Sequence, residues 1–186
     1  MSTVFAQTDR ELWLLTARDG EKVGGLITTC VAQASIVPEL PRVLVGIARH
    51  HRTWELMTAA GAFALHLLAE AQLDWVWRFG LWSGRDLDKF FGLSWTLSPH
   101  GTPILAGAAG WLDCQIEAAW DAGARTVFLA EIVAEACPKP GRVLTMNRVL
   151  QLAAPDILQQ MKVCRVQDAA IEAALIAQWR QTNSGA

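Results

Sequence analysis

Hydroxyl and cationic side chains stand in two short stretches where they could hold a phosphate group. Thr28, Thr29 and Ser35 lie in one predicted strand and the turn after it, and Arg52 and Thr53 lie at the start of a predicted helix. A phosphate carries up to about two negative charges, so it binds best where hydroxyls, N–H groups and a cation converge. A helix N-terminus adds backbone N–H donors and a favourable dipole. The pattern therefore indicates an anion site.

Each of these residues also has an ordinary structural explanation. Threonines such as Thr28 and Thr29 are common in strands because of their β-propensity. Thr53 is also a suitable helix cap. Lys89, a further candidate cation, stands in a charged loop where a lysine is usually solvated. The phosphate interpretation therefore depends on where the fold brings these residues.

The sequence lacks the common motifs of nucleotide sites and of metal sites. It contains no G-x-G-x-x-G and no G-x-x-x-x-G-K-[ST]. The four cysteines are far apart and form no C-x-x-C pair, so we expect free thiols. His50 and His51 are adjacent, so on a strand or helix they would face apart and make a poor metal pair. We expect no metal site, and we expect any redox chemistry to belong to a cofactor.

Composition narrows the class of protein. The chain has 186 residues, of which 52% are hydrophobic and 18% charged, and its net charge is −2. This balance does not favour a nucleic-acid partner, and no apolar run approaches the ~20 residues of a membrane span. The polar first ten residues lack the layout of a signal peptide, so we expect a cytoplasmic protein. The surplus of apolar side chains predicts a subunit interface.

Hairpin turns and short strands predict a mainly antiparallel β fold with appended helices. Asp19-Gly20 predicts a hairpin between strands 11–18 and 23–32. Further strands are predicted at 42–48, 63–68, from Gly110 onward, at 126–136 and at 143–146, and helices at 54–60, 70–79 and 166–180. In the strand after Gly110, we expect Cys114 to face inward and Asp113 outward. We expect one domain over residues 1–186, with a barrel over 11–150 and a helical extension over 155–182.

The order of several motifs is similar to that of the flavin-reductase-like FMN-binding split-barrel family. Residues 24–35 read GGLITTCVAQAS, Pro38 follows, and residues 43–48 read VLVGIA before Arg52-Thr53. Downstream, residues 61–68 (GAFALHLL), Phe79-Gly80 with Asp88-Lys89-Phe90, residues 103–105 (PIL) and residues 112–114 (LDC) resemble further elements of the family. The resemblance covers residues 12–133 and looks closest to the flavoredoxin-like and flavodiiron-associated branch.

The resemblance implies an FMN-binding split barrel that forms a homodimer, with both chains lining each flavin pocket. FMN, NADH or NADPH, and a redox partner protein are the implied ligands and partners. The implied cofactor-binding residues are Thr28, Thr29, Cys30, Ala34, Ser35, Arg49, Arg52, Thr53, Trp82, Lys89 and Phe90. Lys89 would add a mobile point charge to the phosphate site. Trp82, Phe90 and Cys30 would supply walls for the isoalloxazine ring.

The chain departs from this family in the turn between the last two long strands. Many active members carry Gly-Asp-His there, whereas this chain has Gly123-Ala124-Arg125-Thr126. Arg125 is the candidate catalytic residue, since a guanidinium could face an anionic flavin or a nucleotide phosphate, although it cannot donate a proton as histidine does. Three functions remain open: an NAD(P)H-dependent flavin reductase, an FMN-holding electron-transfer protein, and a barrel that only dimerises.

Overall fold

A seven-stranded, curled antiparallel sheet forms the body of the protein. The computed structural model describes residues 4–139 and 141–183. The strands follow the order β2-β1-β5-β8-β9-β4-β3, and a separate pair is formed by β6 and β7. The strands are β1 Trp13–Asp19, β2 Lys22–Thr28, β3 Val31–Gln33, β4 Arg42–Ala48, β5 Ala62–Leu67, β6 Trp95–Leu97, β7 Pro103–Leu105, β8 Gly110–Asp121 and β9 Arg125–Ala136. This architecture confirms the predicted split barrel.

The chain passes from one edge of the sheet to the other within two residues. The predicted hairpin is confirmed, because β1 and β2 pair in register from Trp13–Thr28 to Asp19–Lys22 around Gly20. The second strand was expected to continue to residue 32, and this is wrong. It breaks after Thr28, whose hydroxyl accepts a hydrogen bond from the Cys30 N–H. The chain then enters β3, which pairs with β4 at the opposite edge.

The barrel interior is filled by apolar side chains, including Leu15, Phe63 and Phe128. Cys114 on β8 is fully buried, as the alternation predicts. Asp113 was expected to face solvent and is instead fully buried. Its carboxylate accepts hydrogen bonds from Thr102 Oγ1 at 2.6 Å and lies 3.0 Å from His100 Nδ1. The loop between β6 and β7 therefore covers Asp113 and satisfies its charge.

Four α-helices surround the sheet: α1 Arg52–Ala60, α2 Leu73–Leu81, α3 Met146–Leu152 and α4 Pro155–Asn183. Thr53 was considered as the cap of α1, but His51 is the residue before the helix and Thr53 lies buried in its first turn. The short strand predicted at 143–146 is wrong. Val143 and Thr145 make isolated bridges to Ala69 and Glu11, and α3 begins directly afterwards. No described helix is long and apolar enough to cross a membrane.

The C-terminal helix α4 is longer than its apolar pattern predicts, and it lies against the barrel with a partly charged face. Its half-buried side chains recur at heptad-like spacing, at Met161, Cys164, Asp168, Glu172, Leu175 and Trp179. In the sequence, Ile171 recurs with Leu175 and Trp179 at four-residue spacing, which predicts that it shares their face, but it is 43% exposed. The stripe turns polar in its middle because the barrel surface there carries His50, which lies within hydrogen-bond distance of Asp168, and Arg125, which forms an ion pair with Glu172.

Candidate functional site

A cavity of about 320 Å³ lies between β2, the start of α1, the segment that follows α2, and α4. We call it the cation cavity, because Arg52, Arg85 and Lys89 line it together with two histidines. Its described lining consists of Gly25, Leu26, Ile27, His50, His51, Arg52, Thr53, Phe79, Gly80, Leu81, Trp82, Ser83, Gly84, Arg85, Lys89, Cys164, Gln167 and Asp168. The fold thus brings positive side chains from two distant segments, the start of α1 and residues 85–89, to one space.

Lys89 is a fixed, buried cation of this cavity. It was expected to be a mobile charge in an accessible loop, and this is wrong, because only 6% of the residue is exposed. Its Nζ donates hydrogen bonds to the carbonyls of Gly25, at 3.2 Å, and Phe79, at 3.0 Å. Burial lowers the pKa of Lys89 to about 8. An ammonium group has three donors, so one is left for an acceptor in the cavity.

Arg52 lines the same cavity and also has a buried donor. Its Nε is buried and has no hydrogen-bond partner among the described residues. Buried polar atoms without partners are rare in native proteins, because each costs free energy. Gly84 lies close to both cations, since a Cβ built there would be 3.7 Å from Arg52 Cδ and 3.9 Å from Lys89 Cε. An anion held between the 83–89 segment and the first turn of α1 would lie beside the Arg52 side chain.

The two adjacent histidines lie side by side, although the sequence predicts that they face apart. Their ring centroids are 4.2 Å apart. The prediction is wrong because His50 and His51 belong to the turn before α1 rather than to a strand or helix. His50 Nε2 lies 3.0 Å from Asp168 Oδ1 on α4. Burial, and then the neighbouring His50, lower the pKa of His51 to about 4, so His51 is neutral at physiological pH.

A more apolar cavity of about 460 Å³ adjoins the cation cavity. Both are lined by Ile27, Gly80, Leu81, Cys164 and Asp168. The remaining walls of the second cavity are mainly apolar, and they are Leu12, Val76, Trp77, Arg125, Met146, Val149, Met161, Arg165, Ala169 and Glu172. We call it the α2 cavity. Its shared border with the cation cavity suits a ligand with an anionic end and a flat apolar end.

Arg125, the candidate catalytic residue, lies at the α2 cavity and is held by α4. Its NH2 group donates to Glu172 Oε1 at 2.5 Å, and its Nε donates to Oε2 at 3.3 Å. The paired contacts form a bidentate ion pair, which fixes the orientation of the guanidinium. Its side chain is still 46% exposed. Arg125 is therefore accessible, but its charge is largely committed to a carboxylate.

The structure divides the predicted cofactor residues into separate groups. Arg52, Thr53, Trp82 and Lys89 line the cation cavity. Ser35 lines a third cavity of about 530 Å³ beside Trp13 and Val31, and its hydroxyl accepts a hydrogen bond from the Val37 N–H. The residues that line none of these three cavities within the described chain are Thr28, Thr29, Cys30, Ala34, Arg49 and Phe90.

Two members of the last group have evident structural partners. Arg49 forms an ion pair with Asp121 at 3.0 Å. Phe90 was a candidate wall for the flavin ring, but it is 5% exposed and makes edge contacts with Phe79 and Trp95 inside a core cluster. The strand hydroxyls therefore line no cavity together with the cations of α1 in the described chain. The strand break after Thr28 carries the later residues to the other edge of the sheet, and the role of these hydroxyls in cofactor binding stays a prediction.

Sequence reasoning missed Arg85 and Asp168 as members of the site. Arg85 donates a hydrogen bond to the His50 carbonyl at 3.2 Å and pairs with Glu55. It stands in the segment 80–92, whose mixture of glycine and charge predicts only an irregular loop. Asp168 is more than a hundred positions from the histidines in the sequence. On α4, Asp168 and Glu172 interrupt the apolar residues of the half-buried face. That interruption was the available signal.

A family model described as "Flavin reductase like domain" matches residues 5–150. The reductase subunit HsaB of a flavin-dependent monooxygenase from Rhodococcus jostii is 36% identical over 119 residues, which are 64% of this chain and 58% of that protein. The chain thus matches less than two thirds of the length of this relative. It therefore resembles a reductase subunit over part of that subunit's length.

Solved structures share the fold over most of the chain. Nitrilotriacetate monooxygenase component B from Mycobacterium thermoresistibile superposes with a TM-score of 0.70 at 25% identity, covering 82% of this chain and 87% of that one. The flavoredoxin of Methanosarcina acetivorans gives a TM-score of 0.68 at 21% identity, covering 80% and 82% of the two chains, and shows a likeness of fold alone. The similarity to the flavoredoxin-like branch is confirmed at this level.

Proposed function

Because the chain belongs to the family of flavin reductase like domains, we propose that it binds FMN non-covalently and is an oxidoreductase that reduces flavin with NADH or NADPH. The single observation that carries the FMN proposal is the cation cavity. It is lined by Lys89, whose ammonium group is buried, and by Arg52, whose Nε has no hydrogen-bond partner in the described part of the chain. Together they form a donor set that lacks an acceptor and is matched by a phosphate group.

The residues present fit the cofactor. The phosphate would be held by Arg52, Lys89 and the backbone N–H groups of the first turn of α1. The flavin ring would lie against the apolar walls of the adjoining α2 cavity, with Ile27 and Gly80 at the border between the two spaces. Cavities of about 320 and 460 Å³ lie within the usual ~300–1,000 Å³ range of ligand sites. When bound, flavin supplies the hydride chemistry.

Arg125 is the residue of this chain that we assign to charge stabilisation. Its guanidinium lines the α2 cavity, where it could pair with a nucleotide phosphate or stabilise negative charge on the reduced ring. A guanidinium is a poor proton donor, so we assign Arg125 no part in proton transfer. This arrangement fits hydride transfer better than general acid catalysis.

A second function, that of an FMN-holding electron-transfer protein, is favoured by one observation. The turn before β9 lacks the Asp and His of many family members, and its Arg125 is already engaged by Glu172. A guanidinium held by a carboxylate offers less charge to an incoming nicotinamide nucleotide. The protein would then receive electrons from a partner rather than from NADH or NADPH.

Anaerobic stopped-flow mixing of the FMN-loaded protein with NADH or with NADPH tests the proposal. We expect at least one nucleotide to bleach the visible flavin absorbance, and we expect the reaction to be slower in Arg125→Ala. Arg148→Ala is the matched control, because Arg148 makes a similar bidentate pair with Glu70 outside both cavities. If dithionite bleaches the flavin and neither nucleotide does, the reductase function is excluded and the electron-transfer function takes its place.

A further inference from the structure

Two histidines and a carboxylate from distant segments point their ligand atoms at one another. One ligand atom each from His50, His51 and Asp168 lies within 4.8 Å of the others. All three residues are half-buried and line the cation cavity. The cluster joins the turn before α1 to the middle of α4. None of the three residues belongs to the phosphate-binding set Arg52, Lys89 and the first turn of α1.

The types of these side chains suit a metal ion. Histidine binds metals through a ring nitrogen lone pair, and a carboxylate oxygen is a common third ligand of zinc. His50 Nε2 already lies 3.0 Å from the Asp168 carboxylate. Two imidazoles and one carboxylate thus face a common point.

We propose that His50, His51 and Asp168 bind a divalent transition metal ion of the zinc type. Bond lengths of about 2.0–2.2 Å to nitrogen and oxygen place tetrahedral ligand atoms about 3.4 Å apart. The largest separation in the cluster, at most 4.8 Å, needs only a small side-chain adjustment to reach that spacing. Nitrogen and oxygen ligands of this kind favour zinc and cobalt over magnesium or calcium. The fourth position is left for water or an anion in the cavity.

The proposed ion would tie α4 to the barrel. Without it, the link at this point is one hydrogen-bonded pair, between His50 and Asp168. Asp168 is 45% exposed in its side chain, and a partly exposed ion pair contributes little stability. A metal bridge would instead couple the position of α4 to metal occupancy. The proposal rests on these side chains and does not require flavin binding.

Zinc uptake by the full chain tests the proposal directly. The protein is stripped with a chelator, dialysed against Zn²⁺, and analysed for metal content, both with and without FMN. We expect one zinc ion per chain. His51→Gln and Asp168→Asn should each weaken binding by at least the ~10-fold that loss of an outer-shell partner costs. Glu172→Gln, a carboxylate on the same face of α4 that pairs with Arg125, should bind zinc as the parent does.

Cobalt provides a second readout of the ligand set. Co²⁺ added to the flavin-free protein should give the visible absorption of a four-coordinate site, which His51→Gln and Asp168→Asn should each abolish. Circular dichroism identifies any variant that fails to fold. If one of the two variants is misfolded, the cobalt spectrum of the other tests the proposal. The proposal is overturned if the parent takes up no stoichiometric zinc. It is also overturned if His51→Gln and Asp168→Asn bind zinc as the parent does while His100→Gln, which alters the histidine beside Asp113, loses zinc. Zinc binding without FMN binding would contradict the proposed function alone.

Discussion

Lys89 combines burial, charge and an incomplete set of hydrogen bonds at one atom. Two backbone carbonyls hold its Nζ beside the cation cavity. They offset part of the cost of burying the ammonium group, which is large for an unpaired charge. The pKa nevertheless falls to about 8, which shows that desolvation is only partly compensated. An anion in the cavity would complete the compensation.

The lowered pKa of Lys89 predicts that FMN affinity decreases as the pH rises through about 8. Below that pH the ammonium is charged and attracts the phosphate, and above it the neutral amine does not. The phosphate is already largely a dianion in this range, because its second pKa is about 6. Fluorescence titrations from pH 7 to 9 measure the trend. Riboflavin affinity should not change, and Lys89→Met should remove the dependence for FMN. A flat FMN profile in the parent would contradict this role.

Arg52→Ala should weaken FMN binding by about ten- to a hundredfold, since a hydrogen bond to a charged group is worth ~1.5–3 kcal/mol. The fold should be unaffected, because the Arg52 Nε has no partner in the described protein to lose. Arg142→Ala, at an exposed arginine outside the cavity, is the control. Isothermal titration calorimetry of the parent, Arg52→Ala and Arg142→Ala measures the three FMN affinities. Equal affinity in all three would assign the anion site to other residues.

At the scale of elements, α4 is attached to the barrel by a few specific contacts rather than by a continuous apolar face. None of its described residues is fully buried. Trp179 packs on Gly123 in the turn between β8 and β9, where a Cβ would lie 2.9 Å from Trp179 Cβ. Gly123 also has a φ of +85°, a conformation that residues with a side chain adopt only at a cost. The turn therefore requires glycine for two reasons.

Gly123→Ala should destabilise the attachment of α4 more than the barrel. Gly20→Ala is a matched control, because Gly20 has a φ of +59° but its Cβ would meet no atom within 4 Å. Both variants incur the left-handed backbone cost of about 1–2 kcal/mol, and only Gly123→Ala also displaces Trp179. Limited proteolysis should cut α4 faster in Gly123→Ala alone. Equal cleavage rates in the two variants would show that Trp179 does not anchor the helix.

The sequence predicts local secondary structure better than the tertiary contacts between the elements. The Asp19-Gly20 hairpin, the strand at 42–48 and the stop of α1 at Gly61 follow from turn chemistry and apolar pattern, and the structure confirms them. The break after Thr28 could not be read from residues 23–32, because it depends on β3 finding β4. Similarly, Asp113 and Lys89 look solvent-exposed in the sequence, and only the covering loops bury them.

At the scale of the whole molecule, a loop beside the third cavity exposes large apolar side chains to solvent. Ile36 is 94% exposed and Leu40 is 61% exposed, and both belong to the segment between β3 and β4. Exposed apolar groups of this kind commonly mark an interface between proteins. The loop lies next to Ser35, one of the residues that the family resemblance associates with the cofactor. We propose on these features that the protein forms the homodimer that the family resemblance implies.

We expect the protein to sediment at twice the 20.3 kDa of one chain at micromolar concentration. Leu40→Asp should shift the mass toward one chain, because a buried unpaired carboxylate is costly in an apolar interface. Val163→Asp is the control, since Val163 is 46% exposed on α4, away from this loop in the chain. Sedimentation equilibrium gives the masses. A parent that sediments at 20.3 kDa with FMN bound would exclude the homodimer.

The central claim is that the cation cavity holds the phosphate of a bound flavin, and a comparison of FMN with riboflavin tests it most directly. The two ligands share the ring and the ribityl chain, and riboflavin lacks the phosphate. Losing two charge-assisted hydrogen bonds of ~1.5–3 kcal/mol each predicts that riboflavin binds at least about a hundredfold more weakly. Parallel fluorescence titrations of the flavin-free protein at pH 7 measure both constants. Equal affinity for the two flavins, or no binding of either, would contradict the claim.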